Sequence, residues 1–115
     1  MKIREADLMV QTLNTMLQVK GIVGFKIARN LRMLNDELKE YYKIKQELFE
    51  KYGTQQGDEL VIDKTTENFT NYLKEIEPYE EQEVNFDFKK ITEEELQNSD
   101  LTVEQILILS DYFEE

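Results

Sequence analysis

Residues 25 to 52 read "FKIARNLRMLNDELKEYYKIKQELFEKY", and the way this stretch is read decides the fold. Ile27, Leu31, Leu34, Leu38, Tyr41, Lys45, Leu48 and Tyr52 follow one another at alternating steps of four and three, a heptad seam with one lysine in it. Phe25, Ala28, Tyr42 and Phe49 widen the apolar stripe. No glycine or proline interrupts the run, while Lys51 in its last turn and Gly53 just past it form a stop signal. At 1.5 Å per residue the helix is a rod of about 40 Å. A rod of that length needs more than one partner along its seam.

Upstream, Ala6, Val10, Leu13 and Leu17 place an apolar face on a helix over residues 5 to 20, with Glu5 and Asp7 near its start and Lys20 at its end. It covers only part of the rod. The rest is left to later helices of the chain or to a second copy pairing through the Leu31 to Leu48 seam. Met1 to Ile3 read as a short edge strand.

Between the two helices lies "KGIVGFKI", residues 20 to 27. With Gly21 and Gly24 and flanking lysines, it resembles the G-x-x-G loop with which KH domains hold a nucleic-acid backbone. The order strand, helix, loop, helix, strand, strand, helix agrees with one KH subtype. Ile22 and Val23 between the glycines are apolar, however, where a phosphate loop is polar or basic, and the following helix is about twice too long. The favoured reading is a turn in which the glycines stop one helix and start the next, with Ile22 and Val23 closing the core. Lys20, Lys26, Arg29 and Arg32 then form a basic helix face, the only candidate nucleic-acid contact, and nucleic acid is a disfavoured partner.

Downstream, "GTQQGDELVID" reads as a polar turn followed by a short strand at Leu60 to Ile62. Phe69, Tyr72, Leu73 and Ile76 mark a third helix that Pro78 closes. In "EVNFDFKKI", Val84, Phe86 and Phe88 alternate with Asn85 and Asp87, the pattern of a half-buried strand whose partner is Leu60 to Ile62 or Met1 to Ile3. Thr92 with Glu95, and Thr102 with Gln105, are two capping boxes, each flanked by apolar residues at staple spacing. Two short helices follow, the second able to dock Ile106, Leu107, Leu109 and Phe113 on the hairpin.

At 115 residues the chain predicts one small domain over residues 1 to 115. The fold class expected is mostly α with a minor β part: a long antiparallel helical hairpin, a third helix, a capped C-terminal helix and a small two- or three-stranded sheet. The absence of cysteine and histidine excludes disulfides, thiolate nucleophiles, imidazole bases and zinc sites built on those ligands. Neither Ser99 nor Ser110 lies in a G-x-S-x-G turn, and no phosphate-binding glycine loop occurs. Asp58, Glu59 and Asp63 miss the spacing of a calcium loop, and Glu93 to Glu95 lie in a helix's first turn, where negative charge is stabilising. No enzyme, cofactor or metal is expected. No apolar run reaches the roughly 20 residues that span a bilayer, and charges interrupt the N-terminal stretch, so the expectation is a soluble cytoplasmic protein without a membrane partner.

The net charge of −11 is divided unevenly: residues 1 to 52 carry +3 and residues 53 to 115 carry −14. An acidic half repels nucleic acid and favours basic partners. Tyr41, Tyr42, Phe49 and Tyr52 fall at the far end of the rod, either covered by the later helices or exposed as anchors for a partner.

The layout as a whole resembles an uncharacterised family of small proteins encoded by phages and prophages of low-GC bacteria. "MKIREADL", the long helix, "LVID", "EVNFDFKKI" and "LTVEQILILSDYF" carry the resemblance. It implies a phage origin and a role inside the infected host cell, and brings no active-site residues. The expected function is that of a non-catalytic accessory protein, an assembly factor or adaptor, binding a phage or host protein. Its candidate contacts are the aromatic end (Tyr41, Tyr42, Phe49, Tyr52) and the acidic residues Glu80, Glu81 and Glu83. The alternatives are an acidic inhibitor of a host nucleic-acid-binding defence protein, of anti-CRISPR or anti-restriction type, and a KH-like RNA-binding module acting through Gly21 and Gly24.

Overall fold

A computed structural model describes residues 1–114. In chain order the elements are α1 (Ile3–Asn14), α2 (Gly21–Tyr52), β1 (Thr54–Gln56), β2 (Glu59–Val61), α3 (Glu67–Glu80), α4 (Glu93–Gln97) and α5 (Val103–Phe113). The protein is mostly α with minor β. No helix among the described residues is long and apolar enough to cross a membrane.

The long helix is the spine, and two shorter helices lie end to end along it. α1 runs antiparallel along its first part and past its middle, where Asp7, near the start of α1, reaches Tyr42 at 2.8 Å and Lys45 at 3.7 Å. α3 runs antiparallel on its second half, with Lys51 pairing Glu75 at 3.0 Å and Asn68 donating to the Tyr52 carbonyl at 3.3 Å. The start of α1 meets the end of α3. There Ile3 N–H donates to the Gln82 carbonyl at 2.9 Å, Val84 N–H to that of Met1 at 2.8 Å, and Glu81 accepts from both Lys2 and Arg4 at 2.6 Å.

This arrangement settles how the rod is covered. Leu31, Leu34 and Leu38 pack in one core with Ala6, Met9, Val10 and Leu13 of α1, and Tyr41 packs in a second with Ile62, Tyr72 and Ile76. From Leu31 to Tyr41 the seam is therefore buried within the chain, and of the surface expected to pair two copies through Leu31 to Leu48 only the half-buried Leu48 end stays open. Lys45, the lysine in the seam, lies where α1 gives way to α3 and is matched by Asp7.

Several boundaries differ from the sequence reading. α1 ends at Asn14 and α2 begins at Gly21, whose φ of +75° is the left-handed conformation that glycine supplies without strain. Gly24 is in the first turn of α2, where a Cβ would collide with the Val19 carbonyl oxygen. Pro78 does not close α3, which continues to Glu80; Glu81 and Gln82 N–H bond back to the Glu77 and Tyr79 carbonyls, so the last turn survives the missing proline donor.

The β part also differs. β2 at Glu59–Val61 is close to the expected strand, but its partner is β1, in the register Thr54↔Val61, Gln55↔Leu60, Gln56↔Glu59. Gly57, at φ +62°, opens a two-residue turn of the II′ kind. β1 is all polar and exposed, so no alternation announced it. Residues 84–90 form no strand. Their alternation persists, with Val84, Phe86 and Phe88 half-buried against the first core and Asn85 and Asp87 exposed, but what they lie on is helical. The segment is a strap with one antiparallel bridge at Lys2↔Glu83, next to the expected partner Met1 to Ile3, and one parallel bridge at Ile91↔Glu114. Asn30, fully buried, holds its later part: its side-chain amide donates to the Lys89 carbonyl at 3.0 Å and accepts from the Lys89 N–H at 2.7 Å.

Both capping boxes are present, with reciprocal bonds at 2.9 and 3.1 Å for Thr92 and Glu95 and at 3.1 and 3.2 Å for Thr102 and Gln105. Leu96, Leu109 and Phe113 join the first core, and Phe113 meets the strap edge-to-face at Phe88. Leu107, expected to dock, is exposed.

Candidate functional site

The aromatic end of the rod is a packed interface. Tyr41 is 5% exposed, Phe49 stacks on Tyr72 of α3 at 5.2 Å, and Tyr42 and Tyr52 are half-buried beside them. Burial, followed by the charges of Glu80 and Asp7, holds the Tyr41 hydroxyl well above the usual phenol range; burial and the hydrogen bond to Asp7 do the same for Tyr42. The expectation of an exposed aromatic anchor is thus corrected. Phe69, Tyr72 and Ile76 of α3 match the aromatic positions of α2 and cover them.

The acidic candidates are partly occupied as well. Glu81 accepts from Lys2 and Arg4, and the Lys2 bond first, with the nearby charges, holds its carboxyl below the usual range. Glu83 pairs with the N-terminal ammonium at 2.9 Å, and Glu80 is half-buried near the tyrosines. Among the described residues no three Asp or Glu side chains converge as metal ligands would. An open groove of about 420 Å³ between α2 and α3 is lined by Ile44, Leu48, Pro78 and Tyr79, with Lys51 and Glu75 bridged across it.

The other end of the molecule is different. Around the α1–α2 turn, Leu17 is 65% exposed, Ile22 50% and Phe25 55%. The sequence reading had set all three on apolar faces or in the core; of the two residues between the glycines, only Val23 is buried. Ile22 and Phe25 lie three apart on α2, hence on one side of it. The Arg29 guanidinium stands 5.0 Å from the centre of the Phe25 ring, a cation–π contact.

Of the predicted basic residues, Lys20, Arg29 and Arg32 are exposed. Lys26 is engaged, its ammonium donating at 2.7 Å both to Glu95 and to the Lys90 carbonyl. That bond, first among several, keeps the Glu95 carboxyl below the usual range. The sequence reading missed Lys89 and Lys90, which the strap brings against Asn30 and Lys26. Because Gly24 lies inside a helix and the only sheet among the described residues is a two-stranded hairpin, the G-x-x-G segment does not form the exposed loop of a KH module.

Compared with protein-family models, with curated proteins and with solved structures, the chain has no significant match.

Proposed function

We propose that the chain is a non-catalytic, phage-encoded accessory protein that works in the host cytoplasm by binding another protein, as an adaptor or assembly factor, through the tip of the α1–α2 hairpin. The observation that carries this reading is the exposure of Leu17, Ile22 and Phe25 within one short stretch of chain, while Tyr41 at the opposite end is buried and Tyr42, Phe49 and Tyr52 are half-buried. Leaving three large apolar side chains in water forgoes about 1.5 to 3 kcal/mol of burial for each, and a partner that covers them recovers it. Exposed apolar residues gathered in one place mark interaction surfaces, whereas scattered ones do not.

The test is photo-cross-linking in lysate of infected low-GC bacteria, with p-benzoylphenylalanine at position 25 in one preparation and at Tyr79, exposed on α3, in another. The tip reading expects a discrete adduct from position 25 and none from 79. Adducts from position 79 alone would place the contact elsewhere. The acidic-inhibitor reading draws on the −14 balance of residues 53 to 115 and on exposed carboxylates such as Glu77, Glu93 and Glu94. It requires a basic partner whose binding weakens with salt.

A further inference from the structure

The tip carries a charge as well as an apolar surface. The side chains of Asn30 and Lys26, bonded to the main chain of Lys89 and Lys90, hold this part of the strap against α2. Among the described residues no carboxylate lies within 4.0 Å of the charged groups of Lys20, Arg29, Arg32, Lys89 or Lys90. Arg29 thus stands on Phe25, with Arg32 one turn further along α2 and the exposed Lys89 and Lys90 on the strap that bonds to Asn30 and Lys26. With Lys20 and Lys26, these cations outnumber the nearby carboxylates Asp87, Glu93, Glu94 and the Lys26-bound Glu95, and form a basic collar at the tip of a protein whose net charge is −11.

Resting on the tip reading above, we infer that the occupant of this surface is an acidic segment of a partner protein, its apolar side chains seated on Ile22 and Phe25 and its carboxylates on Arg29, Lys89 and Lys90. Charge complementarity chooses the sign, and the acidic remainder of the surface and the Arg29–Phe25 contact choose the class. A nucleic acid carries its charge along its whole length, so beyond the tip it would meet the protein's 25 acidic residues, whereas a short peptide presents its charge only to the collar. One face of the Phe25 ring is already occupied by Arg29, which removes that face as a platform for a base. An anionic membrane would meet the same −11, with few apolar residues to insert.

Fluorescence anisotropy with the full chain tests this. The probe is a short labelled peptide carrying a run of glutamates and two leucines one helical turn apart; the comparisons are its glutamine counterpart, an oligothymidine and phosphatidylglycerol vesicles. The glutamate peptide is expected to bind about tenfold or more tighter than its glutamine counterpart, and to weaken as salt is raised. Lys89→Glu with Lys90→Glu, and separately Ile22→Ser with Phe25→Ala, should each weaken it about tenfold, while Lys39→Glu with Lys43→Glu, on the same helix beyond the collar, should leave it within about twofold. Circular dichroism verifies that the variants fold. Equal binding of the two peptides, indifference to the collar variants, or preference for the oligothymidine or the vesicles overturns the inference. A cross-link from position 25 to a partner without an acidic segment would overturn the partner class and leave the tip contact standing; no cross-link there would remove the tip contact itself.

Discussion

Replacing Asn30 by leucine should loosen the strap and destabilise the whole fold. The Asn30 amide is fully buried and makes two main-chain hydrogen bonds to Lys89, at 2.7 and 3.0 Å. Leucine keeps the same branched arrangement of side-chain heavy atoms, with bulkier methyl groups in place of the amide, so the loss is chiefly polar: two bonds, with a backbone N–H and C=O left without their partner. A net bond contributes about 0.5 to 1.5 kcal/mol, and a buried group left unsatisfied costs about 1 to 3 kcal/mol. Because Lys89 is itself exposed, water reaches part of the site, which sets the expected loss at about 2 to 4 kcal/mol rather than the upper sum. Urea denaturation followed by circular dichroism should show a lower midpoint at an unchanged slope. Hydrogen exchange of residues 86–91 should quicken more than that of α3. A loss under about 0.5 kcal/mol, within the range of ordinary surface substitutions, would refute the assignment of Asn30 as the clamp.

Gly24→Ala should cost about 1 to 3 kcal/mol in the same denaturation assay, because the new methyl meets the Val19 carbonyl; a neutral result would show that the turn can shift. Phe49→Ala should cost about 2 kcal/mol by emptying the contact with Tyr72, whereas an exposed anchor at that position would change stability by under about 0.5 kcal/mol. The tyrosine hydroxyls at the junction of α1 and α3 give an alkaline prediction. Tyr41, Tyr42 and Tyr72 hold their protons in the fold more tightly than an unfolded tyrosine, which titrates near 10. Their contribution is complete below about pH 10 and declines as pH rises toward their folded values, so melting temperature should fall as pH is raised above about 10. A Tyr41→Phe, Tyr42→Phe double variant should show a shallower decline, and an identical one would clear these residues of the effect.

The long seam, both capping boxes and the alternation at Val84, Phe86 and Phe88 were legible in the sequence because each is a local pattern with its own period. What local pattern did not reveal was which element each face meets. The seam reads the same whether α3 or a second copy covers it, and only the folded chain shows Phe69, Tyr72 and Ile76 laid against Tyr41 and Phe49. The strap's alternation was read as a strand, yet between its two end bridges the main chain is held by one asparagine side chain and one lysine side chain instead of a neighbouring strand. Leu17 and Ile22 carry the hydropathy of core residues, and nothing local distinguished them from Val23. Of the basic surface, Lys20, Arg29 and Arg32 could be found by helical spacing. Lys89 and Lys90 could not, since they arrive through a long-range contact at Asn30.

The tip assignment is tested most directly by a ¹H–¹⁵N correlation spectrum of the full chain titrated with the glutamate–leucine peptide. The account predicts shifts confined to the Leu17 to Arg32 stretch and to Lys89 and Lys90, with α3 unmoved. Shifts centred on α3 and the groove between α2 and α3, or none at a saturating peptide concentration, would contradict it.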